Sequence, residues 1–295
     1  MMRIDSLHVK RWIHQQVERL GIHAEPMAHH RPVDARHLDT SPLALSYRYP
    51  GRTLLLDAPS DWGIGLFSLP MAGASPLPAA LREARRHPGR ERSLIREALE
   101  QYYADWQPDS AAAFFGLSQT EAPQLACLPS WSAAWPWEPL DLEAKQAQRR
   151  RTEGRESAYV LGHRLDVEVD GWKFCGPVSP RKLEVEVERL ARLLDTIGRA
   201  GFKRHDSSDG DIQALMLVDD EGVWRWQVLA GQHRYAVISG LSANNVTIRV
   251  GQIIRRQEVT HWPWVVAGLF SLSAALKVFD ACFAPVLSEV RDEVA

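Results

Sequence analysis

The clearest pattern lies in the C-terminal half, where apolar positions run first at helical and then at strand spacing. Ser179-Pro180 has the form of a helix start, with serine as N-cap and proline where its missing N–H costs nothing. Leu183, Val187, Leu190, Leu194 and Ile197 then fall on one stripe, and Gly198 or Gly201 marks the expected end. Residues 212–218 form a continuous apolar run expected as a buried strand, followed by an Asp219-Asp220-Glu221-Gly222 turn. Residues 223–229 alternate apolar and polar as a second strand would. Gly231, a short helix over 233–239, a strand over 246–250 and a closing helix over 271–287 complete a small α/β order.

The N-terminal half reads as mixed. Val9, Trp12, Ile13, Val17 and Leu20 predict an amphipathic helix over 7–20. Residues 44–49 and 52–57, split by Pro50-Gly51, predict a β-hairpin. Ile95, Leu99, Tyr102, Tyr103 and Trp106 share one face of a second helix. Composition shifts at Trp131, Trp135 and Trp137, which give way to a charged run over 141–156 containing Arg149-Arg150-Arg151. The expected organisation is an α+β region over 1–140, a charged linker or helix over 141–170, and an α/β domain over 171–290. The tryptophans are expected to pack between domains, with stacking on a sugar ring as the alternative.

Composition narrows the function classes. At 295 residues, 45% apolar and 24% charged, the chain is of ordinary globular type. A net charge of −2 supplies no overall field to hold nucleic acid or an anionic membrane. Cys127, Cys175 and Cys282 are far apart with no C-x-x-C, which argues against a disulfide framework or structural zinc site and fits a reducing compartment. His23, His29, His30 and His37 match no ligand spacing and are interrupted by Pro26 and Pro32. Residues 1–5 lack a signal-peptide core, and the uncharged stretch 262–276 is shorter than the ~20 residues a span needs. The expectation is a cytoplasmic protein with no membrane span.

Candidate chemistry centres on Gly231-Gln232-His233-Arg234. A glycine between a strand and a helix lets backbone approach a ligand, and the first helical N–H groups favour an anion. Arg234 adds a planar fork suited to phosphate, and His233 a group able to shuttle protons near neutral pH. Asp206, Asp209 and Asp211 sit just before a strand, and Asp209 and Asp211 are the candidates to hold Mg²⁺ or an acceptor hydroxyl. A polar loop of Asx-turns is the other explanation of the same residues.

The run Leu229-Ala230-Gly231-Gln232-His233-Arg234-Tyr235-Ala236 resembles the G-x-H-R-y-x-A element of the ParB/sulfiredoxin superfamily. Leu190, Leu193, Leu194, Ile197 and Gly201 are similar to its preceding helix and turn, so the likeness covers roughly residues 171–250. The resemblance implies a small mixed-sheet domain that binds a nucleoside di- or triphosphate (ATP, ADP or CTP) at the glycine turn. Sulfiredoxin chemistry needs a cysteine where this chain has Gln232, and partition function needs a helix-turn-helix that the remainder after Val250 lacks. DNA binding is therefore the third choice. The kinase-like branch, with G-H-H-R-Y or close variants, is most similar. It implies phosphotransfer to a small hydroxyl-bearing acceptor such as a sugar or amino acid, with Glu184 as base and His233 beside the phosphates. Lys182-Leu183-Glu184 stands where that branch carries His-Glu. The whole chain also resembles a bacterial group associated with polysaccharide gene clusters. A nucleotide-sensing protein or scaffold that binds through the same turn and transfers nothing is the alternative function.

Overall fold

A computed structural model describes residues 31–38, 41–139, 141–203, 211–241 and 244–284. The helix expected over 7–20 lies outside them, as do Asp206 and Asp209. Strands β1 (Val33–Asp34), β2 (Leu54–Pro59), β3 (Gly63–Ile64), β4 (Ile212–Val218), β5 (Trp224–Ala230) and β6 (Asn245–Arg255) form one mixed sheet in the order β1-β2-β6-β4-β5-β3. The longer helices are α1 (Pro42–Arg48), α2 (Leu77–Arg86), α3 (Glu91–Asp105), α4 (Leu142–Leu161), α5 (Pro180–Ala200), α6 (Gln232–Gly240) and α7 (Leu272–Ala281).

Local chemistry explains most of these elements. Ser179 Oγ accepts the Lys182 N–H at 3.1 Å and so caps α5, which stops at Gly201. Between β4 and β5, Asp219 Oδ1 accepts the N–H groups of Glu221 and Val223, closing the expected turn. β4 then lies between antiparallel β5 and parallel β6. Its side chains alternate: Ile212, Ala214, Met216 and Val218 enter one apolar cluster, Leu215 and Leu217 another. The second cluster, on the opposite face, also holds Trp135, Trp137, Trp262 and Phe279. Trp137 donates from Nε1 to Gln227 Oε1 (2.9 Å) and stacks on Trp135, so this pair is core rather than a sugar platform.

Two expectations need correction. Residues 44–49 are not a strand: Pro42–Arg48 is helical, opened by Pro42 and packed through Pro42 and Leu45. Ser41-Pro42 is the same start signal that was decisive at Ser179-Pro180, and here the short alternation concealed it. β2 consequently has no hairpin partner and pairs with β6 from Leu54↔Val250 to Pro59↔Asn245. The sheet thus crosses the division between regions 1–140 and 171–290, with β2 on one side and β3 on the other of the C-terminal strands. Of the linker or helix expected over 141–170, the structure forms a helix: α4 spans Leu142–Leu161 and packs against α5.

Candidate functional site

The glycine turn sits where β5 feeds α6. Gly231 has φ +90°, in the left-handed region, and no side chain caps the helix start. The first helical bond runs from the Tyr235 N–H to Gly231 O (2.9 Å), leaving the preceding N–H groups outside the intrahelical ladder. A Cβ on Gly231 would lie 3.3 Å from both Arg234 Nη2 and Ile212 Cγ1, so the guanidinium folds back over the glycine. Backbone conformation and close packing both call for glycine here.

The pairing Gln213↔Ala230 brings Asp211 and Gly231 to the same end of the sheet. Asp211 is buried there, its Oδ2 accepting from Arg249 Nη2 at 2.7 Å. Its carboxylate is therefore built into an ion pair with β6 rather than presented openly as a metal ligand.

The remaining motif side chains turn inward. Gln232 Oε1 accepts the Leu66 N–H (2.8 Å) while its Nε2 donates to Val228 O (2.7 Å). Tyr235 Oη donates to Gly63 O (2.6 Å). Together they fasten the loop after β3 to α6. His233 is also buried, with Nε2 2.5 Å from Glu186 Oε2 on α5. Gln232 and His233 can therefore offer an anion their backbone N–H groups but not their side chains. Arg234 is the motif side chain left at the turn.

Behind His233 lies an ion network that the sequence reasoning did not assemble. Lys182 Nζ lies 2.5 Å from Glu153 Oε2 and 2.8 Å from Glu186 Oε1. Lys173 Nζ lies 3.3 Å from Glu153 Oε1 and 2.8 Å from Glu156 Oε2, which also meets Arg189 Nη1 at 2.5 Å. Helix α4 supplies Glu153 and Glu156, α5 supplies Lys182, Glu186 and Arg189, and α6 supplies His233. Lys173 comes from a tight turn held by α3: Tyr103 Oη donates to Lys173 O (3.0 Å) and Tyr102 Oη to Phe174 O (2.8 Å). Gly176 completes that clamp, since a Cβ there would be 2.0 Å from Tyr103 O.

Three carboxylates thus face three permanent cations, and the network is neutral when His233 is neutral. Burial alone would raise the Glu186 carboxyl, but Lys182 and His233 hold it well below the usual carboxylate range. Burial and then Arg189 push the His233 imidazole down, against the pull of Glu186. The pair is accordingly a neutral imidazole donating from Nε2 to a carboxylate. Burial opposes ionisation of Glu156 too, yet the Lys173 and Arg189 cations keep it at about 2. The ligand oxygens of Glu153, Glu156 and Glu186 lie within 4.8 Å of one another, a spacing a metal could use. Lysine and arginine nitrogens already supply the countercharge that a metal would bring.

Glu184 does not join this group. It lies two residues before Glu186, so helical geometry turns it to the other side of α5. There it is partly exposed and ion-paired with Arg96 of α3. A sequence signal for the network did exist. Lys182, Glu186 and Arg189 run at i, i+4, i+7 directly beside the apolar stripe of α5, where a purely solvated face would not lie. Cys175 is buried, and burial raises its thiol to about 11, as befits a packed cysteine rather than a nucleophile. None of the described helices is long and apolar enough to cross a membrane. Comparison with family models, curated proteins and solved structures finds no match, so the likeness to the ParB/sulfiredoxin superfamily rests on the motif and its spacing alone.

Proposed function

We propose that the protein binds a nucleoside di- or triphosphate with its phosphates at the Gly231–Arg234 turn, as a sensor or scaffold rather than as a phosphotransferase. The observation that carries this is the uncapped, left-handed glycine start of α6 with the Arg234 guanidinium folded over it. Binding without transfer is supported by the position of the expected base. Glu184 pairs with Arg96 on another side of α5, while Glu186 and His233 are buried against each other. None of the three stands at the turn to take a proton from an acceptor hydroxyl. His233 ties the first turn of α6 to α4 and α5, which gives nucleotide binding a rigid route to the rest of the helical layer.

A thermal-shift series with ATP, ADP, CTP and GTP, with and without Mg²⁺, tests the binding claim. At least one nucleotide should raise the Tm of the wild type, and Arg234→Ala should respond far less. An equal response of both proteins would remove the turn from the account. Nucleotide turnover in the presence of a hydroxyl-bearing acceptor, abolished by Glu184→Gln, would instead restore phosphotransfer.

A further inference from the structure

Helix α4 carries a second feature, which shares no lining residue with the Gly231 turn. Gln148, Arg151, Thr152 and Arg155 fall at i, i+3, i+4, i+7 on one face of the helix and, with Arg164, line a concavity of about 410 Å³. No carboxylate is among the lining residues. All three arginines are exposed. The stem of Arg164 comes over the helix at Gly154, where an added Cβ would lie 3.5 Å from Arg164 Cδ.

The contrast with neighbouring arginines is chemical. Arg149 is half-buried, lies over the Trp172 ring at 3.9 Å and donates to Trp131 O (2.9 Å). Arg150 donates to Glu168 Oε1 (2.9 Å) and lies over Trp131. On α5, Arg192 and Arg199 each pair with a carboxylate one turn earlier. Arg151, Arg155 and Arg164 have no hydrogen bond, ion pair or ring contact among the described residues. The helix spacing explains this: Ala147, Gln148, Gly154 and Arg155 surround Arg151, and Arg151, Thr152, Ala158 and Tyr159 surround Arg155. Two like charges one turn apart, joined by a third from a loop, repel one another unless an anion lies between them.

We propose that this concavity is a binding site for a small multivalent oxyanion of the phosphate or pyrophosphate class. Guanidinium forks from two sides would grip the oxygens, with Gln148 and Thr152 as neutral hydrogen-bonding partners. A polyanionic macromolecule is the competing occupant. It is disfavoured because the chain as a whole carries a net charge of −2 and so supplies no general field for a polyanion.

Calorimetric titration of the full chain with inorganic pyrophosphate at low salt tests the site. The wild type should bind, and Arg151→Gln with Arg155→Gln and Arg164→Gln should weaken that binding at least about tenfold. Arg85→Gln, which removes an exposed arginine elsewhere, should leave it intact, and the site should also survive Arg234→Ala. Because the three side chains have no partners among the described residues, the circular dichroism of the triple variant should match that of the wild type. Unchanged pyrophosphate affinity in the triple variant would overturn the proposal, as would an equal loss in Arg85→Gln. Binding of single-stranded RNA but not pyrophosphate would overturn it in favour of a macromolecular partner. Loss in Arg234→Ala alone would assign the anion to the Gly231 turn and leave α4 without a site.

Discussion

The Gly231 turn and the ion network behind it share His233, yet they treat charge in opposite ways. In the network, three carboxylates and three cations, with Glu156 and Arg189 at its half-buried edge, are matched one against another across α4, α5 and the Lys173 turn. At the turn, a left-handed glycine ends a strand, a helix begins without a cap, and a guanidinium lies over the opening. The first arrangement leaves no place for a ligand. The second presents helix-start N–H groups outside the intrahelical ladder beside a guanidinium. One four-residue string contributes to both because helix geometry sends Gln232 and His233 inward and leaves Gly231 and Arg234 outside.

The largest expected effect comes from breaking the network. Lys182→Met leaves Glu153 and Glu186 buried without their shared cation, and removing one member of such a group costs about 3–5 kcal/mol. Urea denaturation should read this directly, and adding Glu186→Gln should recover part of it. A Lys182→Met loss under about 1 kcal/mol would mean that these charges are not closed off from water as described. At the turn the expected costs are smaller. Gly231→Ala forces an L-residue into the left-handed region and should cost about 1–2 kcal/mol. Arg234→Ala should change stability by less than about 1 kcal/mol while removing anion binding. A turn variant that destabilised the fold as much as Lys182→Met would erase the distinction between the two regions.

Acid should separate the network's own members. The folded His233 titrates below its ordinary 6.5, so below that pH the unfolded chain binds a proton that the folded chain refuses. Stability should therefore fall as pH drops through 6.5. Glu156, held at about 2 rather than 4.5, contributes stability above 4.5 that is lost as pH falls from there toward 2. Urea midpoints across this range should show two declines, and His233→Gln should abolish the upper one. Persistence of the upper decline in that variant would place it on another group.

Much of the C-terminal order was legible because each signal was local. Ser179 as cap, Asp219 in its turn and the alternation of β4 each depend on residues within one element or one turn. The hairpin expected at Pro50-Gly51 failed because β2 finds its partner in β6, with Asp57 and Thr247 separated by 190 residues of chain. Pattern reports that a strand has an apolar face, not which strand it will meet. The site divided in the same way. Gly231 and Arg234 were readable from a glycine before a helix. Glu153, Glu156 and Lys173 were not, because their meaning comes from a packing of α4 against α5 that no spacing encodes. The resemblance pointed to Glu184, which lies two residues, about half a turn of helix, from the Glu186 that meets His233.

The most direct test of the central claim is calorimetric titration of nucleotide onto chains that already carry Arg151→Gln, Arg155→Gln and Arg164→Gln, so that anion uptake on α4 does not contribute. ATP, ADP and CTP should be compared on this background with and without Arg234→Ala. At least one nucleotide should occupy one site per chain, weakened at least about tenfold by Arg234→Ala with the urea midpoint nearly unchanged. Equal affinity with and without Arg234, or no uptake of any nucleotide by chains that retain it, would contradict a phosphate-binding role for the Gly231 turn.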